Sequence, residues 1–303
     1  MKVLITGGLG FVGSHLQARL EEEGHIVHIF DRERVEKKRY HRGDINDFFS
    51  LEHAFSRASP LDACVHLAAM VSRKECEETP ALSIMTNTIG AQNIVHLCSK
   101  RHIRLLYAGS SEEYGDAYYD IAGNPVCVSE DTPFGAPTSY YAMTKRHADE
   151  LIRYNALQNG LRATTMRFCM LYGPGELGNS YRSAVARFAD TAIKNQPIRA
   201  HRDTERSWCY IEDVVDAIMR ILDREQEQKY ECYNLGRHEP ISAVNLAHKV
   251  VDTFGSDSEI IETEIEPTII PIKRMSFDRA KRVLGWEATT SLDEGLKALK
   301  GSC

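Results

Sequence analysis

The chain has 303 residues, 43% of them hydrophobic and 26% charged, proportions of an ordinary water-soluble globular protein long enough for an α/β body with a smaller lobe. Its 37 basic residues against 43 acidic ones leave a net charge of −6, which argues against a nucleic-acid surface, and no run of 18 apolar residues is present to span a membrane. Eight scattered cysteines with neither a C-x-x-C pair nor an H-E-x-x-H motif give no metal-ligand spacing. Free thiols, a cytoplasmic location and no metal are expected, and a chain that starts directly in a strand leaves no room for a leader.

Residues 2–6 are a short β-branched apolar run that reads as a buried strand. Gly7, Gly10 and Gly13 follow at G-x-x-G-x-x-G spacing, and Val12, Leu16 and Leu20 line one face of a helix that Gly24 closes as a left-handed cap. Residues 25–30 form a second strand with Asp31 at its carboxyl end, 24 residues after Gly7. Strand, glycine turn, helix, strand and acid make a dinucleotide-binding βαβ unit. Glycines let the backbone approach a pyrophosphate, the helix N-terminus offers unpaired N–H groups, and the acid accepts from a ribose. The predicted contacts are Gly7, Gly10, Phe11, Val12, Gly13 and Asp31. Asp31 favours NAD over NADP, while Arg32 and Arg34 next to it would tolerate a 2′-phosphate.

Asp44 and Ile45 lie in a turn before a helix, placed to close over an adenine. Residues 61–69 are a third strand ending in small side chains, and Leu67, Ala68 and Ala69 would let a cofactor lie against its carboxyl end. His66 in that strand reads as a packed core histidine. A helix is predicted over 79–102, with Asn87 in its interior expected to make a buried hydrogen bond to a neighbouring loop. Residues 103–109 form the next strand, and Ser110, Ser111 and Glu112 stand at its carboxyl end, where chemistry is done in open α/β sheets. The stretch 116–139, carrying Pro125, Pro133 and Pro137, reads as a functional loop. Tyr141 and Lys145 then sit one turn apart on one face of a helix. An ammonium beside a phenol favours the phenolate and makes it a base near neutral pH.

Taken together, the motifs T-G-G-L-G-F-V-G at 6–13, G-D-I at 43–45, H-L-A-A at 66–69, S-S-E-E-Y-G at 110–115 and Y-x-x-x-K at 141–145 resemble the extended short-chain dehydrogenase/reductases. More narrowly, they resemble the NAD-dependent nucleotide-sugar epimerase/dehydratase family. Further motifs at 167–174, 206–213, 233–236 and 284–295 carry the resemblance over essentially the whole chain. It implies a doubly wound parallel Rossmann sheet in a domain over 1–172, with 207–237 packing back onto it. The rest, 173–206 and 238–303, would be a smaller substrate lobe. The helices over 82–97 and 141–157 would form the four-helix interface of a homodimer.

The resemblance also implies transient oxidation of a nucleotide-diphosphate sugar at C4. Tyr141 takes the 4-hydroxyl proton, Ser110 holds the same oxygen, and Lys145 holds the nicotinamide ribose. Ser110-Ser111-Glu112 matches the triplet of UDP-glucuronate decarboxylases and GDP-mannose-type 4,6-dehydratases, with Glu112 as acid/base and Ser111 toward the substrate. Arg206 and Arg274 would take the substrate diphosphate. Met170 stands where the family carries an Asn that contacts the phosphate region. Three other readings stay open: a simple 4-epimerase that needs no further acid, a reductase of non-sugar carbonyls using NADPH, and a non-catalytic NAD sensor.

Overall fold

Seven strands form one sheet in the computed structural model, which describes residues 1–176, 183–266 and 269–303. They are β1 (Lys2–Thr6), β2 (Ile26–Asp31), β3 (Tyr40–Arg42), β4 (Ala63–His66), β5 (Arg104–Ser110), β6 (Ala163–Phe168) and β7 (Tyr230–Leu235). Across the sheet they run β7-β6-β5-β4-β1-β2-β3. β1 lies parallel to both β2 and β4, β2 to β3, and β4 to β5. The strand order reverses beside β1, and open α/β sheets bind ligands at that switch, outside the strands' carboxyl ends. Val3, Leu4 and Ile5 alternate between the two faces yet none has exposed surface, so the sheet is covered on both sides, as the doubly wound expectation requires. One core holds Leu4, Phe30, Leu51, Phe55, Ile94, Leu105 and Ile152.

The helix predicted over 79–102 runs as Pro80–Ile84, a wide π turn at Met85–Gly90, and Ala91–Arg101, with a separate short helix Arg73–Glu78 before it. Asn87 lies buried in the π turn. Its Oδ1 accepts the Met70 N–H at 2.8 Å, and its amide donates to Met70 O at 3.0 Å and to Thr144 Oγ1 at 3.1 Å. The expected bond to a loop is thus present, and it also ties that loop to the helix carrying Tyr141. Widening of the helix at such a residue is a common device near functional sites.

Two compact units divide the chain. The first comprises Met1–Glu113, Ser139–Arg167 and Val215–Tyr233; the second comprises Tyr114–Thr138, Phe168–Val214 and Asn234–Cys303. The second has its own core of Val185, Phe188, Leu246, Val250, Leu292 and Leu296, beside short two-stranded ladders. The range 1–172 drawn from the sequence differs from the first unit, which the chain leaves after Glu113 and rejoins at Ser139. Residues 116–138 of the predicted functional loop belong to the second unit. Tyr118 and Val128 are fully buried with Met275 and Phe277, and Cys127–Val128 pairs with Arg274–Met275. Prolines spaced through a segment conceal such pairing, because its partners lie far along the chain.

Candidate active site

β1 delivers the chain into Gly7, whose φ of +68° suits glycine. A Cβ there would fall 2.7 Å from the Ala68 backbone nitrogen, and one on Gly13 would fall 2.4 Å from Gly7 O. The helix Phe11–Glu22 therefore starts hard against the turn, and its N-cap, Gly10, supplies no side-chain oxygen to the first N–H groups. Phe11 and Val12 open that helix half-buried. From the end of β2, the Asp31 carboxylate accepts the Leu9 N–H at 3.0 Å and the Glu33 N–H at 3.3 Å, which sets it over the glycine turn. Leu67, Ala68 and Ala69 follow β4 half-buried. A turn that side chains would fill, an uncapped helix N-terminus and an acid above it fit a dinucleotide such as NAD.

His66 is buried and bonded through Nδ1 to Thr6 Oγ1 at 2.7 Å; burial first, then Lys145, pushes it down to about 3, so it is a neutral core histidine as expected. Ile45 is 5% exposed, in the core cluster with Leu51 and Ala91. Asp44 is the exposed member of that pair, its Oδ1 accepting the Asn46 N–H at 2.8 Å.

β5 ends at Ser110, and Ser111–Tyr114 make one tight 3₁₀ turn after it. Ser110 Oγ accepts the Glu112 N–H at 3.2 Å, and the Ser110 hydroxyl is near enough to Tyr141 to favour its phenolate. Ser139 Oγ accepts the Ala142 N–H at 3.0 Å and caps the helix Tyr140–Asn159, on which Tyr141 and Lys145 project from the same face. Lys145 Nζ lies 4.5 Å from the centre of the Tyr107 ring. Burial drives the Tyr141 phenol well above its usual value, the Ser110 hydrogen bond opposes this, and Glu112, Glu113 and Cys76 add to the rise. Burial lowers Lys145 to about 8, against Glu113, Asp149 and Cys76, which hold its proton on. At Tyr141, burial and the nearby Glu112, Glu113 and Cys76 favour the protonated phenol, and the Ser110 hydroxyl favours the phenolate.

Sequence reasoning missed Glu113. Its side chain has no exposed surface, and Arg167 on β6 joins it to Asp149 on the Tyr141 helix. A signal was available: an arginine inside the otherwise buried run A-T-T-M-R-F requires buried acidic partners.

The residues expected on the substrate fall in both units. Ser111 is buried on the 3₁₀ turn of the first. In the second, Arg206 donates to the carbonyls of Glu205 at 2.8 Å, Pro271 at 2.6 Å and Ile270, while Arg274 Nε donates to Glu205 Oε1 at 3.2 Å. Both arginines thus gather about Glu205. Met170 packs against both cores of that unit with φ at +44°, a conformation suited to Gly or Asn. The backbone here retains the shape for which an Asn is the natural occupant.

A model of the NAD-dependent epimerase/dehydratase family matches residues 3–236. Over 314 residues the chain is 27% identical to UDP-N-acetyl-alpha-D-glucosaminuronate decarboxylase of Bacillus cytotoxicus, covering 98% of this chain and 95% of that one. With UDP-glucuronic acid decarboxylase 1 of Xenopus tropicalis it shares 28% over 303 residues, 97% of this chain and 70% of the other. Among solved structures, UDP-glucose 4-epimerase of Thermotoga maritima with UDP-glucose matches at a TM-score of 0.90 and 25% identity, covering 100% and 98% of the two chains. The UDP-glucose 4-epimerase of Thermus thermophilus with NAD matches at 0.88 and 24%, covering 100% and 98%, a likeness of fold alone.

Proposed function

This chain belongs to the NAD-dependent epimerase/dehydratase family, and we propose that within it the protein is a UDP-uronate decarboxylase acting through a 4-keto sugar. The observation that carries this reading is Glu112, two residues beyond Ser110 on the turn that ends the strand, its N–H donating to Ser110 Oγ at 3.2 Å. End-to-end similarity to two UDP-uronate decarboxylases supports decarboxylation over dehydration.

Gly7, Gly10, Gly13 and Asp31 would hold NAD, which would supply a reversible hydride acceptor for sugar C4. Tyr141 accepts the proton of the 4-hydroxyl, Ser110 holds that oxygen, and Lys145 places positive charge behind the pair. Once C4 is a ketone, the C6 carboxylate is β to it. The C5–C6 bond breaks, carbon dioxide leaves, and the electron pair passes into the enolate at C4. Glu112 then protonates C5, and Tyr141 gives its proton back to the C4 oxygen. The balance is one carboxylate lost as carbon dioxide and one proton gained from water. Arg206 and Arg274 are assigned to the diphosphate, with Ser111 and Met170 toward the remainder of the substrate.

UDP-glucuronate and UDP-N-acetylglucosaminuronate, each incubated in deuterated water, are expected to give a product lighter by carbon dioxide and carrying deuterium at C5. Mass spectrometry decides. Unchanged mass with C4 inverted would make the protein a 4-epimerase, the second reading, which the match to a UDP-glucose 4-epimerase structure favours. Loss of water from a UDP- or GDP-hexose that carries a 6-hydroxyl, with the uronates unchanged, would make it a dehydratase.

We assign it further as a homodimer. Leu82, Met85 and Ile89 on the broken helix, and Tyr154 and Leu157 on the Tyr141 helix, are between 44% and 61% exposed, an apolar stripe that water alone would leave costly. Leu82→Glu combined with Leu157→Glu is expected to halve the mass seen by sedimentation equilibrium; a persisting dimer would place the interface elsewhere. Free thiols at all eight cysteines support a cytoplasmic place for the enzyme.

A further inference from the structure

A carboxylate with no exposed surface at the end of a catalytic strand is an unusual choice, since burying it costs free energy and an apolar side chain of similar breadth would pack as well. Glu113 is held by two specific contacts. Its Oε1 accepts the Ser110 N–H at 2.8 Å, and its Oε2 accepts Arg167 Nε at 3.0 Å. Arg167 Nη2 continues to Asp149 Oδ2 at 2.7 Å, and Asp149 Oδ1 accepts from Thr165 Oγ1 and Tyr230 OH, both at 2.6 Å. The Glu113 carboxylate lies across Gly109: a Cβ on that glycine would fall 2.9 Å from Oε1 and 2.8 Å from Thr165 Cγ2. Strand and carboxylate are therefore shaped to each other. The Ser110 N–H is buried and donates to this carboxylate, so losing Glu113 removes a buried acceptor from the end of the strand.

We propose that Glu113 is a positioning residue: it fixes Ser110 at the end of β5 and, through Arg167 and Asp149, locks that strand end to the helix bearing Tyr141 and Lys145. Its neighbour Glu112 touches the reacting sugar in the reading above; Glu113 acts only through Ser110 and Tyr141. The role also has an electrostatic side. Burial, then Asp149, raises Glu113 to about 8, while Arg167, Lys145 and the Ser110 N–H pull it down. The cluster of Glu113, Asp149, Arg167 and Lys145 thus balances two acids against two bases directly behind Tyr141, with Tyr107, Tyr230 and Cys76 as the other titratable groups facing it.

This inference rests on the decarboxylase reading for its kinetic test, so one measurement is made without substrate. Glu113→Val removes the acceptor, Glu113→Asp draws the carboxylate back from Ser110, and Glu113→Gln keeps an oxygen for the Ser110 N–H. In the full-length protein with NAD, the Val and Asp variants are expected to lose at least about tenfold in kcat with KM within about twofold, and Gln, whose oxygen takes the Ser110 N–H while its NH2 faces Arg167, to lose less than either. Hydrogen exchange at the Ser110 amide, read by NMR, is expected to accelerate in the Val and Asp variants and to stay slow in Gln. Wild-type kcat in the Val and Asp variants, or a Gln variant as slow as they are, would overturn the proposal. Should Val not fold, the Asp and Gln pair decides alone. Should no nucleotide sugar turn over, the decarboxylase reading fails by itself, and Ser110 exchange still decides this one: unchanged protection in the Asp variant refutes it.

Discussion

Tyr141→Phe is expected to lower turnover of the UDP-uronate by about a thousandfold, or about 4 kcal/mol of transition-state stabilisation, with NAD binding unchanged. The substitution keeps the ring and removes only the hydroxyl that Ser110 engages, so helix Tyr140–Asn159 and its packing are retained. Neither neighbour can replace it: Ser110 is an alcohol, a weaker acid than a phenol, and Lys145 lies over the Tyr107 ring with its proton held on by Glu113, Asp149 and Cys76. The pH dependence has a definite sign. A phenol raised by burial is protonated at neutral pH, so the base form grows as pH rises and kcat/KM of the wild type climbs toward alkaline pH. The climb ends where Lys145, lowered to about 8, loses the charge that favours the phenolate. Product formation with equilibrium dialysis of NAD measures both quantities. A Tyr141→Phe enzyme within tenfold of wild type would remove Tyr141 from proton transfer, and one that no longer binds NAD would make it a cofactor ligand only.

Glu112→Gln is expected to cost about a hundredfold in kcat with little change in KM, the usual size of a lost general acid. Glu112 is half-buried on the 3₁₀ turn, its own N–H donating to Ser110 Oγ at 3.2 Å, and its charge is one of those that raise Tyr141. Gln preserves size and backbone bonding but has no proton to give C5. Deuterium appearing at C5 should slow in step with kcat. The contrast with Glu113, where Gln is expected to lose less than Asp, assigns different work to two adjacent acids. An undiminished rate would move the acid elsewhere and favour the 4-epimerase, whose chemistry needs no proton at C5.

Much of this protein is legible in its sequence because the relevant physics is local. The glycine spacing, the alternation of apolar runs with amphipathic turns, and the acid closing β2 each depend on neighbours a few residues away, and they place the sheet and the dinucleotide cradle. Gly7 and Gly13 are glycines because their Cβ atoms would strike backbone, a constraint already visible as spacing. Asn87 was readable as a misfit in a helix. The four-residue step from Tyr141 to Lys145 put both on one face before any coordinates.

Tertiary structure alone decided how charges and apolar faces found partners. Two consecutive glutamates look alike in sequence; the 3₁₀ turn after Ser110 leaves Glu112 half-buried and drives Glu113 inward to Arg167, which approaches from a strand more than fifty residues later. The ionisation of Tyr141 is set by burial and by Ser110, Glu112, Glu113 and Cys76 from two other segments, and a Tyr–Lys spacing cannot reveal it. Leu82 and Leu157 match helical apolar periodicity, yet the fold leaves them outward. Residues 116–139 read as a loop because their ladder partner, Arg274–Met275, is remote. Turn chemistry and periodicity are written in adjacent residues, whereas the choice of a buried partner is a long-range free energy that only the assembled packing evaluates.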